Sequence, residues 1–510
     1  MASRGWWREG VLYQIYPRSF ADSNGDGIGD LPGITAHLDH LEWLGIDGIW
    51  LDPTTPSPNA DWGYDVSDYC GVHPDLGTLE DMDELVAQAG ARGIRILLDL
   101  VPNHTSDRHP WFADSRASRS SPRRDWYVWR DPKPDGSPPN NWRSVFGGGS
   151  AWKLDPATGQ MYMHHFLAEQ PDLNWWNDEV RDAFDAIQRF WFDRGVAGFR
   201  IDVVSELVKR RDLAHDDEPE KYGRHADDAE THRVLRRWRS IADEYDPPRV
   251  LLGETWAMDA PTLASYYGDD DELQLAFNFP FVLAPLDPEI QRVVVEAMEE
   301  YFPAHAWPVW TGSNHDLGRF PTRWCEGDER KVRCAQMLLL TLRGLPVLYY
   351  GDEIGMTDVD VPQDRTLDVE GRDGARTPMH WDARPGAGFT TASATPWLPL
   401  GAHATVNVEA QRADPGSVLT LVRDLIALRR ELPDLRSDAY ETIESPEGTW
   451  VWRRGERVVV ALNMTDAPAT VEGVDGTVRI ATDRARDGEK VDAKLELAAW
   501  TGALLERGHR

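Results

Sequence analysis

The stretch Gly198-Phe199-Arg200-Ile201-Asp202-Val203-Val204 decides how the chain is read. Phe199, Ile201 and Val203 alternate with Gly198, Arg200 and Asp202. That is the period of a strand, with one apolar face and one face carrying both charges. Buried together, Arg200 and Asp202 must pair, because an uncompensated charge in a core is strongly destabilising. A guanidinium at this distance would hold Asp202 ionised at neutral pH, as a carboxylate nucleophile requires. The plainer alternative is a structural ion pair in an α/β core. The flanking sequence discriminates between the two.

Upstream, 11–17 (VLYQIYP) reads as a strand, 35–44 as an amphipathic helix, 46–51 as a strand and 79–92 as a helix ended by Gly93. The run 94–100 (IRILLDL) is a further strand. Strands that are apolar throughout and alternate with helices predict a parallel sheet covered on both faces. Downstream, a helix over 179–194 leads into the opening stretch. Strand-like runs follow at 249–254, 273–277, 309–314 and 345–350, with helices over 329–342 and 416–432. Eight strand–helix alternations predict an α/β fold, a closed (β/α)8 barrel. Two segments interrupt it. Residues 105–175 are rich in Pro, Gly, Trp and Asn, with a strand-like piece at 160–166, and are long enough for a small inserted domain. Residues 351–415 are irregular. After 435, alternating runs at 449–454, 457–463, 477–482 and 494–506 predict a compact antiparallel β domain. The expected division is 1–104 and 176–433 for the barrel, 105–175 for the insertion and 434–510 for the C-terminal domain.

A net charge of −32 argues against nucleic acid and anionic membranes as partners, since both demand a basic patch; it favours a neutral or cationic small substrate. Three cysteines, Cys70, Cys325 and Cys334, cannot build a disulfide framework, which fits a reducing compartment. Residues 1–10 lack the apolar core of a secretion signal and no run reaches the length of a membrane span. The expectation is a cytoplasmic protein, monomeric or homodimeric.

Barrel enzymes carry their chemistry at the C-terminal ends of the strands. Asp99 with His104, Arg200 with Asp202, Glu254, and His315 with Asp316 all fall there. Three carboxylates on one rim fit glycoside hydrolysis, in which one attacks the anomeric carbon and a nearby one protonates the leaving oxygen. Asp202 suits the nucleophile. Glu254 follows the apolar run 250–253, where partial desolvation suits a general acid. His315 and Asp316 cannot both face inward on a regular strand, so the chain must turn there. Near the N-terminus, Asp22, Asn24, Asp26, the Ile28 carbonyl and Asp30 place oxygens at alternate positions around a glycine turn, like the start of a calcium loop. Position twelve is Gly33, so Asp30 would have to close the cage; the alternative is an Asx-rich turn without an ion.

The motifs DLVPNH (99–104), GFRIDVV (198–204), GET (253–255) and SNHD (313–316) resemble, in order, those of the α-amylase family of glycoside hydrolases. The resemblance implies a barrel domain, an inserted domain after the third strand and a C-terminal β-sandwich. It also implies Asp202 as nucleophile, Glu254 as acid/base, Asp316 as transition-state stabiliser, and His104, Arg200 and His315 as sugar contacts. QIYPRSFADSNGDGIGD (14–30), WGYDVSDY (62–69), QPDLNW (170–175), GLPVLYYGDEIGM (344–356) and GRDGARTPMHWD (371–382) are similar to the α-glucosidase and oligo-1,6-glucosidase branch. That branch implies a structural Ca2+ or Mg2+ in the 22–30 loop and no organic cofactor. It also implies a terminal-glucose pocket lined by Tyr64, Asp65, Arg376 and Phe166. Val203 after the nucleophile resembles α-1,6-active enzymes, although strand parity aims it away from the site unless the backbone turns at Asp202. Leu317-Gly318-Arg319 departs from the Gln-Pro-Arg of several relatives. The implied activity is that of an exo-acting, retaining α-glucosidase acting on short α-glucosides through α-1,4 and/or α-1,6 bonds, with transglucosylation as a side activity. The alternatives are a glucoside isomerase or transferase and, remotely, a non-catalytic scaffold, which would have lost these carboxylates.

Overall fold

The computed structural model describes residues 5–217 and 228–508. Eight parallel strands are hydrogen-bonded in one sheet. They are β1 (Leu12–Ile15), β2 (Gly48–Leu51), β3 (Arg95–Leu100), β4 (Gly198–Ile201), β5 (Val250–Gly253), β6 (Leu275–Ala276), β7 (Val309–Thr311) and β8 (Leu345–Tyr349). Neighbours follow chain order from β1 to β6, and β8 joins β1 to β7. A parallel bridge from Phe277 to Val309 closes the ring. The predicted barrel is thus present, with each strand trimmed at its ends because the ladder stops where the chain turns into the rim.

Strand parity sorts the side chains. Leu12, Trp50, Leu97, Val250, Leu252, Leu275, Val309, Leu345 and Val347 form one buried cluster that fills the barrel interior. Their alternates, such as Tyr13, Ile49, Leu98, Phe199 and Leu251, belong to the larger cluster shared with the helices. Following the inward parity toward the strand ends leads to Gln14, Asp52, Asp99, Arg200, Asp202 and Glu254. The barrel is therefore apolar at its base and ionic at its C-terminal mouth.

Sequence differences at the edges have local causes. The predicted helix 35–44 is two helices, Leu31–Ala36 and Leu38–Leu44, divided at His37. Asp30 is the N-cap of the first, accepting from Gly33 N. The insertion carries a three-stranded antiparallel sheet of Trp129–Arg130, Gln160–Met163 and Trp152–Asp155. It leaves and rejoins the barrel where His104 bridges Asp172. The C-terminal region has a six-stranded antiparallel sheet and a two-stranded one, Ala469–Glu472 with Lys494–Leu497. Val471, Leu495 and Leu497 pack with Val451, Val459 and Val478 between the two sheets. The expected strand 494–506 is in fact two strands in different sheets, split at Trp500, whose φ is +50°. Among the described residues no helix is long and apolar enough to cross a membrane.

Candidate active site

At the C-terminal mouth lies a cavity of about 330 Å3 bounded by Asp202, Glu254 and Asp316. Tyr64, His104, Phe166 and Val203 also line it, together with Asp61, Phe146, Trp256, Leu317 and Arg372. The three acids come from the ends of β4, β5 and β7, far apart in sequence.

Arg200 organises two of them. Its guanidinium lies 2.7 Å from Asp202, 2.8 Å from Glu254 and 2.9 Å from Asp99, and all four side chains are buried. The ion pair read from the sequence is therefore one limb of a three-to-one cluster. The consequence differs from the expectation. Burial pushes the Asp202 carboxyl well above its usual range; Arg200 opposes this, but the charges of Glu254 and Asp99 and a hydrogen bond with Glu254 reinforce it. One guanidinium faces three buried carboxyls, so its pull on Asp202 is shared and burial prevails. Burial also raises Asp99 to about 6 against the pull of Arg200. Asp316 goes the other way. Burial would raise it, yet its cationic surroundings hold it far below the usual range. Burial keeps His315 neutral, so the effect falls to Arg372 at 2.8 Å and Arg376 at 3.2 Å.

The backbone does turn after Asp202. Val203 sits at φ +50°, ψ +43°, a left-handed conformation that a β-branched residue adopts only under constraint. The constraint is visible: Val203 N donates to Glu254 Oε2 at 3.0 Å, and Val204 N to the Glu254 carbonyl. The strain brings Val203 into the cavity wall, against strand parity. The turn expected at His315–Asp316 is built by Asn314, whose side-chain oxygen accepts from Asp316 N and Leu317 N.

The structure places three of the expected groups of residues differently. Asp65 does not face the cavity: it is fully buried and accepts from Ser57 Oγ, Ala60 N and Asp61 N, tying the loop together. The acid in the cavity wall is Asp61, bonded to Arg372 at 2.7 Å and to Gln170 at 2.9 Å. Arg376 is likewise one layer back, held by the His315 carbonyl and Asp368, and Arg372 takes the exposed position. Arg200 and His315 stand behind the wall rather than in it, whereas His104, Tyr64 and Phe166 line it as expected. Finally, Asp22, Asn24, Asp26 and Asp30 turn onto backbone amides of their own loop. Asp30 also accepts from Ser23 N and Ser23 Oγ and caps the following helix through Gly33 N. The described residues contain no group of three or more His, Cys, Asp or Glu suited to a metal ion.

Sequence reasoning missed Asp61, Phe146, Trp256 and Arg372. Asp61 directly precedes the 62–69 motif and Arg372 lies within 371–382, but spacing does not tell which of two neighbouring acids or arginines points inward. Phe146, beneath the Arg372 guanidinium at 5.2 Å, sits in a loop with no signal of its own.

A family model described as the alpha amylase catalytic domain matches residues 14–438. The chain belongs to the alpha-amylase family of glycoside hydrolases. A probable alpha-glucosidase of Rhizobium meliloti (strain 1021) is 40% identical, over 99% of this chain and 97% of that protein. An oligo-1,6-glucosidase of Heyndrickxia coagulans is 38% identical, over 92% and 94%. Among solved structures, an alpha-glucosyl transfer enzyme superposes with a TM-score of 0.91 at 39% identity, covering 99% of this chain and 100% of that one. The trehalulose synthase from Pseudomonas mesoacidophila MX-45 gives 0.92 at 34% identity, with the same coverage. The family, the barrel and a glucosidase-type hydrolase were all legible beforehand.

Proposed function

We propose that the chain is an exo-acting, retaining α-glucosidase that releases terminal α-linked glucose from the non-reducing end of short α-glucosides. One observation carries this reading: a single cavity has Asp202, Glu254 and Asp316 on its wall and the Asp61–Arg372 ion pair beside them. In the reading, Asp202 attacks the anomeric carbon as Glu254 gives its proton to the leaving oxygen. Glu254 then takes a proton from water, whose oxygen displaces Asp202 and restores the acid. Asp316, kept ionised by its arginines, stabilises positive charge on the sugar ring. Asp61 and Arg372 bind the outermost hydroxyls and leave no way through for a longer chain.

The linkage, α-1,4 and/or α-1,6, is tested with maltose, isomaltose, sucrose, trehalose and maltotriose, reading early products by proton NMR. The expected first product is α-glucose, one residue at a time; β-glucose or internal cleavage would reject the proposal. A second reading, transfer or isomerisation, is favoured by the apolar character of Val203, Trp256 and Leu317 near Glu254, where water competes with an acceptor hydroxyl. Isomerised or longer products from sucrose would favour that reading.

The proposal includes a structural Ca2+ or Mg2+ at the 22–30 loop, supported by the alternating oxygen side chains and opposed by the commitment of Asp30 to its helix cap. With a bound ion, chelation lowers the melting temperature by several degrees; an unchanged melting temperature removes the ion. The expected cellular setting is the cytoplasm.

A further inference from the structure

We propose that Gln14 and Asp52 are positioning residues that fix the tautomer of His315 and, through it, the orientation of Tyr64 and Asp316. Both lie inside the barrel beneath the cavity and are essentially inaccessible. The Gln14 amide nitrogen is 2.9 and 3.0 Å from the two Asp52 carboxyl oxygens and 2.9 Å from His315 Nδ1. An amide nitrogen only donates. His315 Nδ1 must therefore accept, and the ring proton resides on Nε2. That nitrogen is 2.6 Å from Tyr64 Oη and 3.2 Å from Asp316 Oδ2. Having accepted from His315, the Tyr64 hydroxyl spends its own proton on Asp99 Oδ2 at 3.1 Å. Asp99 in turn pairs with Arg200, which holds Asp202 and Glu254. From Gln14 through His315 and Tyr64 each donor points toward Asp99, which Arg200 meets as a donor from the other side.

The opposite order is available to the same atoms. Rotating the Gln14 amide would present its oxygen to the ring, move the proton to Nδ1 and turn the Tyr64 hydroxyl from Asp99 toward Nε2. It would also place the Gln14 oxygen against the Asp52 carboxyl. Asp52 forbids that, at a visible cost: Gln14 Oε1 is buried without a hydrogen-bond partner. Asp52 is itself 3.3 Å from Nδ1, but the shorter Gln14 contact excludes a proton there. The order holds for the ionised Asp52 that accepts from the Gln14 amide at 2.9 and 3.0 Å; burial and Asp99 push its carboxyl up, and the Gln14 hydrogen bond and Arg200 oppose them.

The test reads the ring directly and is independent of which glucoside the enzyme cleaves. In the full chain labelled with 15N-histidine, the His315 signal, identified by its loss in His315→Gln, is expected to show a protonated Nε2 and a bare Nδ1. A protonated Nδ1 in the unaltered protein would overturn the proposal. In Asp52→Leu, Gln14 is released, and the signal should move toward Nδ1–H while kcat falls about tenfold or more with KM within about twofold, as for other wrong-tautomer histidines. An unchanged tautomer with unchanged kcat in that variant would equally overturn it, and should the variant not fold, the spectrum of the unaltered chain still decides.

Discussion

The two ends of the barrel make an instructive contrast. At the N-terminal end a cavity of about 720 Å3 is lined by Trp6, Trp7, Arg430 and Arg436, among others; at the C-terminal end the cavity holding the three acids measures about 330 Å3. The larger looks, by size and tryptophan content, the better binding site. Its charges, however, pair near solvent, as Arg430 does with Asp47 at 2.8 Å and Arg436 with Glu9 at 2.7 Å. At the smaller end three buried carboxyls share one guanidinium. Exposed pairs contribute little and ask nothing of their surroundings, while an unbalanced buried cluster is costly and persists where chemistry uses it. Imbalance of buried charge, rather than volume, separates the working end from the supporting end.

The sharpest way to break this contrast is at the nucleophile. Asp202→Asn is expected to fold, since the cluster loses one of its competing charges, yet to lower kcat by at least about 10³-fold. Initial rates on isomaltose and maltose beside a melting curve check both halves; residual turnover near the unaltered level would return Arg200–Asp202 to the status of a structural pair. Next comes the choice between Asp61 and Asp65. Asp61→Ala removes one of the three carboxylates around Arg372 and should reduce kcat/KM about 10²-fold or more. Asp65→Ala strands Ser57 and two amides and should instead cost about 1–3 kcal/mol of stability, seen as a lower melting temperature, with a much smaller kinetic effect. If Asp65→Ala proved the more damaging to kcat/KM, the assignment of the cavity wall would be reversed. The smallest effect belongs to the N-terminal end, where Arg430→Ala, removing a half-exposed partner of Asp47, is expected to change stability by less than about 1 kcal/mol and leave the kinetics alone. A large loss of activity there would mean that the two ends communicate.

Much of this was written in local pattern. The period of two in Gly198–Val204 put Arg200 and Asp202 on one face, and the same parity in β3 and β5 delivered Asp99 and Glu254 to the same mouth. The need for a turn at His315 was legible because two adjacent side chains cannot share one strand face. Local pattern failed where the backbone left its regular path. The left-handed Val203 reverses its predicted direction, and Asp61 and Asp65 exchange roles because the intervening Trp62 and Gly63 both take positive φ. In the 372–376 turn, the packing of Asp368 against two arginines decides which faces the cavity.

The sequence by itself determined the barrel and the order of its strands along the chain, because strand period and apolar run length are properties of neighbouring residues. Only the tertiary structure decided how the charges are shared. That Arg200 serves three carboxyls, that Asp202 is pushed up rather than down, and that Asp61 and Arg372 rather than Asp65 and Arg376 meet the cavity all depend on distances between residues remote in the chain. Electrostatic free energy follows those distances and the depth of burial.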